Sequence, residues 1–423
     1  MLTNSRRGVR AVALSTVFVG GLAAFAAAAQ PQAEVLHYWT SGGEAKAAAA
    51  LKADFEANGG KWTDNAVAGG AGDAAMTVLR SRVLSGDPPA AAQIKGPNIQ
   101  DWAKQGALGN LNKVAAAENW DKVLPPQISS IMKYNGNYVA APVNIHRIDW
   151  FWANPAVLAK VGATAAPKTW DEFNALAEKL KAAGITPLAH GGQAWQDATI
   201  FETVVMGLNG AAFFKKAFVD LDDATLRSAD MNKVFDQMRK IRGFVDKDFP
   251  GREWNAATQM VMNGTAAMQI MGDWAKGEFL AAGKVPGKDF LCAPAPTQGG
   301  YLMNVDSFAM FNVKGDDKLA GQLLLAKLIV GEKFQETFNV YKGSIPARLG
   351  VPMDKFDACA VKSSDDLKAS ITAGTLVPSM AHEMATSGAV RGAILDVVTQ
   401  HFNSTMSSAD ASKKLADGVK LAK

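Results

Sequence analysis

Cysteine is scarce in this 423-residue chain: there are two, Cys292 and Cys359. Two thiols cannot build a multi-disulfide framework or a four-cysteine zinc site. Whether they pair with each other stays open, since a bridge requires Cα atoms within about 7 Å. Histidine is sparse as well, with five residues at 37, 146, 190, 382 and 401 and no metal-ligand spacing among them. His382-Glu383 begins like a zincin motif, but Thr386 stands where the second ligand belongs. There is no Gly-x-Ser-x-Gly elbow and no Walker loop, and Gly70-Ala71-Gly72 lacks the third glycine of a dinucleotide loop. Neither a cofactor nor a metal is expected, and no catalytic residue is assigned. A glycosidase remains the enzymatic alternative, because its two carboxylates meet only in the tertiary fold. Asp222-Asp223, adjacent in sequence, read as solvated loop charges.

Excess charge is also missing. The chain carries 44 basic and 40 acidic residues. Three of the basic ones, Arg6, Arg7 and Arg10, fall in the first ten positions. Without them the balance is about +1, too little for a nucleic-acid footprint. Past the N-terminal segment no apolar run is long enough to cross a bilayer.

What is present begins with a targeting layout. The three arginines precede an uncharged, mostly apolar stretch, Ala11 to Ala29, which ends in small residues before Gln30-Pro31. This reads as a signal peptide over residues 1–33 with cleavage near 29–33. The competing reading is a permanent anchor, and the alanine-rich exit favours cleavage. The Arg6-Arg7 pair is a poor match to a twin-arginine signal. Export would make a disulfide chemically allowed.

The mature chain then alternates. A strand is expected at 34–39, a turn at 40–43, a helix at 44–57 closed by Gly59-Gly60, and a strand at 62–67. A helical spacing at Met76, Leu79 and Val83 leads through Ser-Gly-Asp-Pro-Pro to a short strand ending at Lys95. Further on, Thr169 with Glu172 forms a capping box ahead of Phe173, Leu176, Ala177 and Leu180. Asp317 to Val330 is another helix with an apolar face. The rhythm is that of an α/β fold. No fixed-period repeat and no low-complexity linker occur, so two lobes would be joined by short ordered crossings.

Six segments, taken in order, resemble the extracellular solute-binding proteins of ABC sugar importers. They are Tyr-Trp-Thr-Ser-Gly-Gly-Glu (38–44), Asp-Trp-Ala-Lys-Gln-Gly-Ala-Leu (101–108), Pro-Val-Asn-Ile-His-Arg (142–147), Pro-Lys-Thr-Trp-Asp-Glu-Phe (167–173), Ala-Met-Gln-Ile-Met-Gly-Asp-Trp (267–274) and Lys-Gly-Ser-Ile-Pro-Ala-Arg (342–348). The first of them resembles the glucose-binding subgroup. The resemblance implies a two-lobed α/β, periplasmic-binding-protein-like fold of type II, with a ligand cleft between lobes joined by crossover segments. Lobe 1 would comprise 34–142 plus 304–345, and lobe 2 143–303 plus 346–423. Crossings are expected near 142–147, 300–304 and 344–350. It further implies a periplasmic monomer that binds a sugar, glucose first, and delivers it to an inner-membrane ABC permease. Galactose, mannose, a disaccharide or a polyol are the alternatives. Arg80 and Arg82 lack the glycine-rich context that a phosphate ligand would want.

Sugar chemistry selects the candidate residues. A pyranose offers apolar C–H faces to aromatic rings and a hydroxyl rim to charged or amide groups. Trp39 closes the strand expected at 34–39, at the carboxyl end where open α/β sheets bind ligands. Trp274 follows the apolar run from Ala266, and Tyr38, which alternates with Trp39 along the strand, either packs inward or edges the site. The other eight tryptophans are expected in packing roles. The resemblance points to Glu44, Lys95, Asp306, Lys342 and His382 for polar contacts. Asp306 is read as interrupting one largely apolar strand, Met303 to Met310. His382 is read as a donor to one hydroxyl. Asn144, His146 and Arg147 are read as crossing residues.

Overall fold

The computed structural model describes residues 1–3 and 30–423. The signal-peptide expectation falls largely on residues 4–29, outside the described ones. Among the described residues no helix is long and apolar enough to cross a membrane.

Two sheets organise two cores. The first sheet runs in the order Lys61–Ala66, Gln32–His37, Ala91–Ile94, Ser307–Met310, Ala140–Pro142. Its first three strands are parallel, and Ser307–Met310 pairs antiparallel with both of its neighbours. Parallel pairing requires helical crossovers, and the helices Gly42–Ala57 and Asp73–Leu84 supply them. The second sheet runs Leu291–Pro294, Trp150–Ala153, Ala266–Ile270, Thr186–Leu188. Trp150–Ala153 is buried throughout, as expected of a strand covered on both faces.

The Thr169 hydroxyl accepts from the Glu172 amide at 3.1 Å, capping the helix Trp170–Ala182. The Glu172 carboxylate reaches back to the Lys168 amide at 2.7 Å. That helix buries Phe173, Leu176 and Leu180 in the second core. Each such burial contributes roughly 1.5–3 kcal/mol. Phe173→Ala would cost about 3–5 kcal/mol.

A small third sheet ties the halves together: Leu376–Pro378, Tyr301–Asn304, His146–Arg147. Around it the chain changes cores. Ile145 packs in the first and Ile148 in the second; Leu302 packs in the second and Met303 in the first. Asp306 therefore does not interrupt one strand, as the sequence suggested. Tyr301–Asn304 ends in the third sheet, Ser307–Met310 begins in the first, and Asp306 occupies the step between them. A polar residue is tolerated there because the ladder is already broken.

Cys292, on an edge strand of the second sheet, is bonded to Cys359 at the start of the helix Ala358–Ala373, with Cα atoms 6.1 Å apart. The pairing left open by spacing is thus made. The halves also meet backbone to backbone. A Cβ on Gly43 would lie 2.5 Å from a Gly277 backbone carbon. The Glu278 carboxylate accepts the Gly43 amide at 2.8 Å across this contact.

Candidate functional site

A cavity of about 230 Å³ lies between the two cores. All eight residues singled out from sequence line it: Tyr38, Trp39, Glu44, Lys95, Trp274, Asp306, Lys342 and His382.

Tyr38 and Trp39 follow the carboxyl end of Gln32–His37. Trp39 is fixed by packing against Phe308, edge-on at 5.4 Å, and Phe338 at 5.0 Å. Among the described residues its indole N–H has no partner, and neither does the Tyr38 hydroxyl. Burial pushes the Tyr38 phenol well above its ordinary range, so it stays protonated. Buried polar groups are normally paired. Orphans lining a cavity point to a partner that arrives with the ligand.

Trp274 opens the helix Trp274–Ala281 on the other side. Lys342 sits between the two indoles, with Nζ 6.0 Å from the Trp39 ring centre and 5.9 Å from that of Trp274. It donates to the Glu44 carboxylate at 2.8 Å. Lys342 is not the solvated loop lysine that its Gly-Ser neighbours would also allow: it is 2% exposed at the end of the helix Glu332–Lys342. Lys95 donates to the Ala71 carbonyl at 3.3 Å, lies 3.6 Å from Glu383 and stands 5.4 Å from the Tyr38 ring centre.

Asp306 is the polar centre. His146 Nε2 approaches its carboxylate at 3.0 Å, and the Asn144 amide donates to it at 3.2 Å. Burial alone would raise its pKa, but the His146 imidazolium, then Lys342 and Lys95, hold it well below the usual carboxylate range. His146 also contacts Asp273 through Nδ1. Burial opposes its charge, yet Asp273 and Asp306 together raise its pKa. Asp306 is thus held ionised, as an acceptor of hydrogen bonds. Among the described residues, no group of three or more His, Cys, Asp or Glu is placed to hold a metal ion.

Of the lining residues missed or misassigned from sequence, four carry an aromatic ring or a buried polar group. Trp195 and Trp254, expected in packing roles, both face the cavity. Trp195 begins the long helix Ala194–Phe218, whose buried run through Gly207 hides any local sign of a binding role. Its ring stands 6.4 Å from Trp274. His146, read as a crossing residue, both crosses and lines. Asn304 carries a buried carbonyl oxygen with no partner among the described residues. Its spacing of two from Asp306 was the available signal.

The bacterial extracellular solute-binding protein family model matches residues 39–327. A probable sugar-binding periplasmic protein of Brucella suis biovar 1 (strain 1330) is 53% identical over 407 residues, covering 96% of each chain. One from Rhizobium meliloti (strain 1021) is 54% identical over 403 residues, covering 95% of this chain and 97% of the relative. Among solved structures, a chitin oligosaccharide binding protein superposes with a TM-score of 0.79 at 19% identity, covering 93% of this chain and 99% of its own. A bacterial solute receptor with an exclusive preference for b-D-galactopyranose superposes with a TM-score of 0.78 at 20% identity, over the same shares. At these identities the two structures speak for the fold.

Proposed function

We propose a function from the premise that this chain belongs to the bacterial extracellular solute-binding protein family: it is a periplasmic receptor that binds one monosaccharide, most readily glucose, and hands it to an ABC importer. The observation that carries the reading is the cavity itself. Two indoles, Trp39 and Trp274, flank a lysine, and an ionised aspartate sits among unpaired donors and acceptors. Flat apolar faces with a charged hydroxyl-binding rim suit a pyranose. At about 230 Å³ the space is smaller than the ~300–1,000 Å³ of sites for drug-sized ligands, which favours a single ring over an oligosaccharide. The close relatives named as sugar-binding support the class.

In this reading residues 1–33 are the export signal. Lobe 1 comprises 34–142 plus 304–345, lobe 2 comprises 143–303 plus 346–423, and the receptor works as a monomer. Sugar that touches both lobes binds the closed form better than the open one, and that difference in affinity shifts the population toward the form offered to the membrane permease. No bond in the sugar changes.

Isothermal titration of the mature chain, stripped of bound sugar by unfolding and refolding, tests this against glucose, galactose, mannose, maltose and glycerol 3-phosphate. One-to-one binding of a monosaccharide that disappears in Trp39→Ala is the expected result. Silence toward every sugar by a folded protein would overturn the monosaccharide assignment.

A further inference from the structure

His382 is set from behind by one helix. The Glu202 carboxylate on Ala194–Phe218 accepts the Ser379 hydroxyl at 2.6 Å and the amides of Met380 and Ala381 at 2.8 and 3.1 Å. Ser379 Oγ in turn accepts the His382 amide at 3.1 Å. One turn earlier on the same helix, Thr199 Oγ lies 2.9 Å from His382 Nε2 and 2.8 Å from the Trp195 carbonyl oxygen.

The proton count at Thr199 decides the ring. Two oxygens 2.8 Å apart need a hydrogen between them, and the Trp195 carbonyl has none to give. The single hydroxyl proton is therefore donated to that carbonyl. Thr199 Oγ is left as an acceptor, and the hydrogen at its 2.9 Å contact comes from His382 Nε2. Burial, then Lys95 and Arg391, keeps the ring neutral. A neutral imidazole protonated on Nε2 has a bare lone pair on Nδ1. Among the described residues Nδ1 has no hydrogen-bond partner, while the ring lines the cavity.

We infer that His382 meets its ligand as a hydrogen-bond acceptor through Nδ1, and that Thr199 is the positioning residue that fixes this polarity. The inference rests on the sugar-receptor reading for the ligand's identity but not for the tautomer. It reverses the donor role that the sequence suggested for His382. It also specifies the ligand: at this point the sugar presents a free hydroxyl. An O-methyl group, a glycosidic oxygen or a fluorine there has no proton to offer.

Long-range ¹H–¹⁵N correlation of the full ligand-free mature chain at neutral pH reads the tautomer directly. His382 signals are assigned by their loss in His382→Gln. A pyrrole-type Nε2 with a pyridine-type Nδ1 is expected, retained in Thr199→Ser and shifted toward Nδ1–H in Thr199→Val. An Nδ1–H tautomer or an imidazolium in the parent protein would overturn the inference. Titration with D-glucose and its monodeoxyfluoro analogues gives the second reading. At one ring position fluorine should weaken binding about tenfold in the parent and in Thr199→Ser, as expected for a lost hydrogen bond with a buried partner. That discrimination should fall by at least about threefold in Thr199→Val. Equal discrimination at every position in all three proteins counts against the inference. If glucose does not bind at all, the sugar reading fails while the spectrum still decides the tautomer.

Discussion

His146 and Arg147 are neighbours in one two-residue strand, yet they serve opposite kinds of buried charge. His146 faces the cavity, between Asp273 and Asp306, and around it polar atoms stand unpaired. Arg147 faces away. Its guanidinium donates to Asp366 at 2.6 Å, to Asp149 at 3.1 Å and to the Gly300 carbonyl at 3.0 Å, and lies over the rings of Trp150 and Tyr301. Asp149 also accepts from Thr297 and from the Leu302 amide. Successive side chains on a strand point to opposite faces. The same crossing can therefore hold the halves together with one residue and set out ligand-binding groups with the next. What separates the two clusters is where the unpaired atoms lie: among the described residues Arg147 Nε and the Trp150 indole N–H lack partners inside packed surroundings, whereas those near His146 line the cavity. The Arg147 carboxylate partners have donors already in place, whereas the cavity keeps donors and acceptors in reserve.

The most severe way to break this comparison is Arg147→Leu. It leaves the fully buried Asp149 without its cation, and should destabilise by about 3–5 kcal/mol in urea unfolding. Sugar affinity of the protein that remains folded should change little. Reducing the disulfide comes next. Cys359 anchors the helix that carries Asp366, and the bridge spans 67 residues of sequence. A loss of roughly 2–4 kcal/mol is expected, read as a lowered urea midpoint in reductant with little change in sugar titration.

His146→Gln probes the opposite face. Losing a charged hydrogen bond to Asp306 should weaken sugar binding by about 1.5–3 kcal/mol in calorimetry, with a smaller change in stability than Arg147→Leu. Equal effects of the two variants on both properties would erase the distinction drawn here.

The mildest test concerns Glu202, whose carboxyl is pushed up to about 8, chiefly by burial, against three hydrogen bonds that favour its ionised form. The folded protein thus holds this proton more tightly than the unfolded chain, whose value is near 4.5. Its contribution to stability is fully present below about 4.5 and is lost as pH rises toward 8. Thermal unfolding across that window should show a declining midpoint. Glu202→Gln should flatten the decline whatever its own stability.

Much of the site was legible because short-range chemistry marked it. Trp39 stood ahead of Thr-Ser-Gly-Gly, Lys95 beside Gly-Pro and Lys342 beside Gly-Ser, each at or just past an element's end. Trp195 was illegible although it too stands at an element's end: it opens a long buried helix, where a residue that faces a cavity and one that faces a core have the same neighbours. The strand reading of Met303 to Met310 failed because periodicity does not record which sheet a strand joins. Asp306 sits where the chain changes sheets. The polarity of His382 depended on Thr199, 183 residues away, and no local pattern links them.

The bare-backbone meeting of Gly43 and Gly277 gives this receptor a mechanical dial for engineering. Any side chain at 43 is a wedge, since even a methyl carbon would sit 2.5 Å from backbone. Alanine, valine and leucine there would hold the two helices progressively further apart. Each step would raise the sugar concentration at which an attached dye responds, without altering a group that faces the sugar. A set of optical sensors with staggered working ranges follows from that single position.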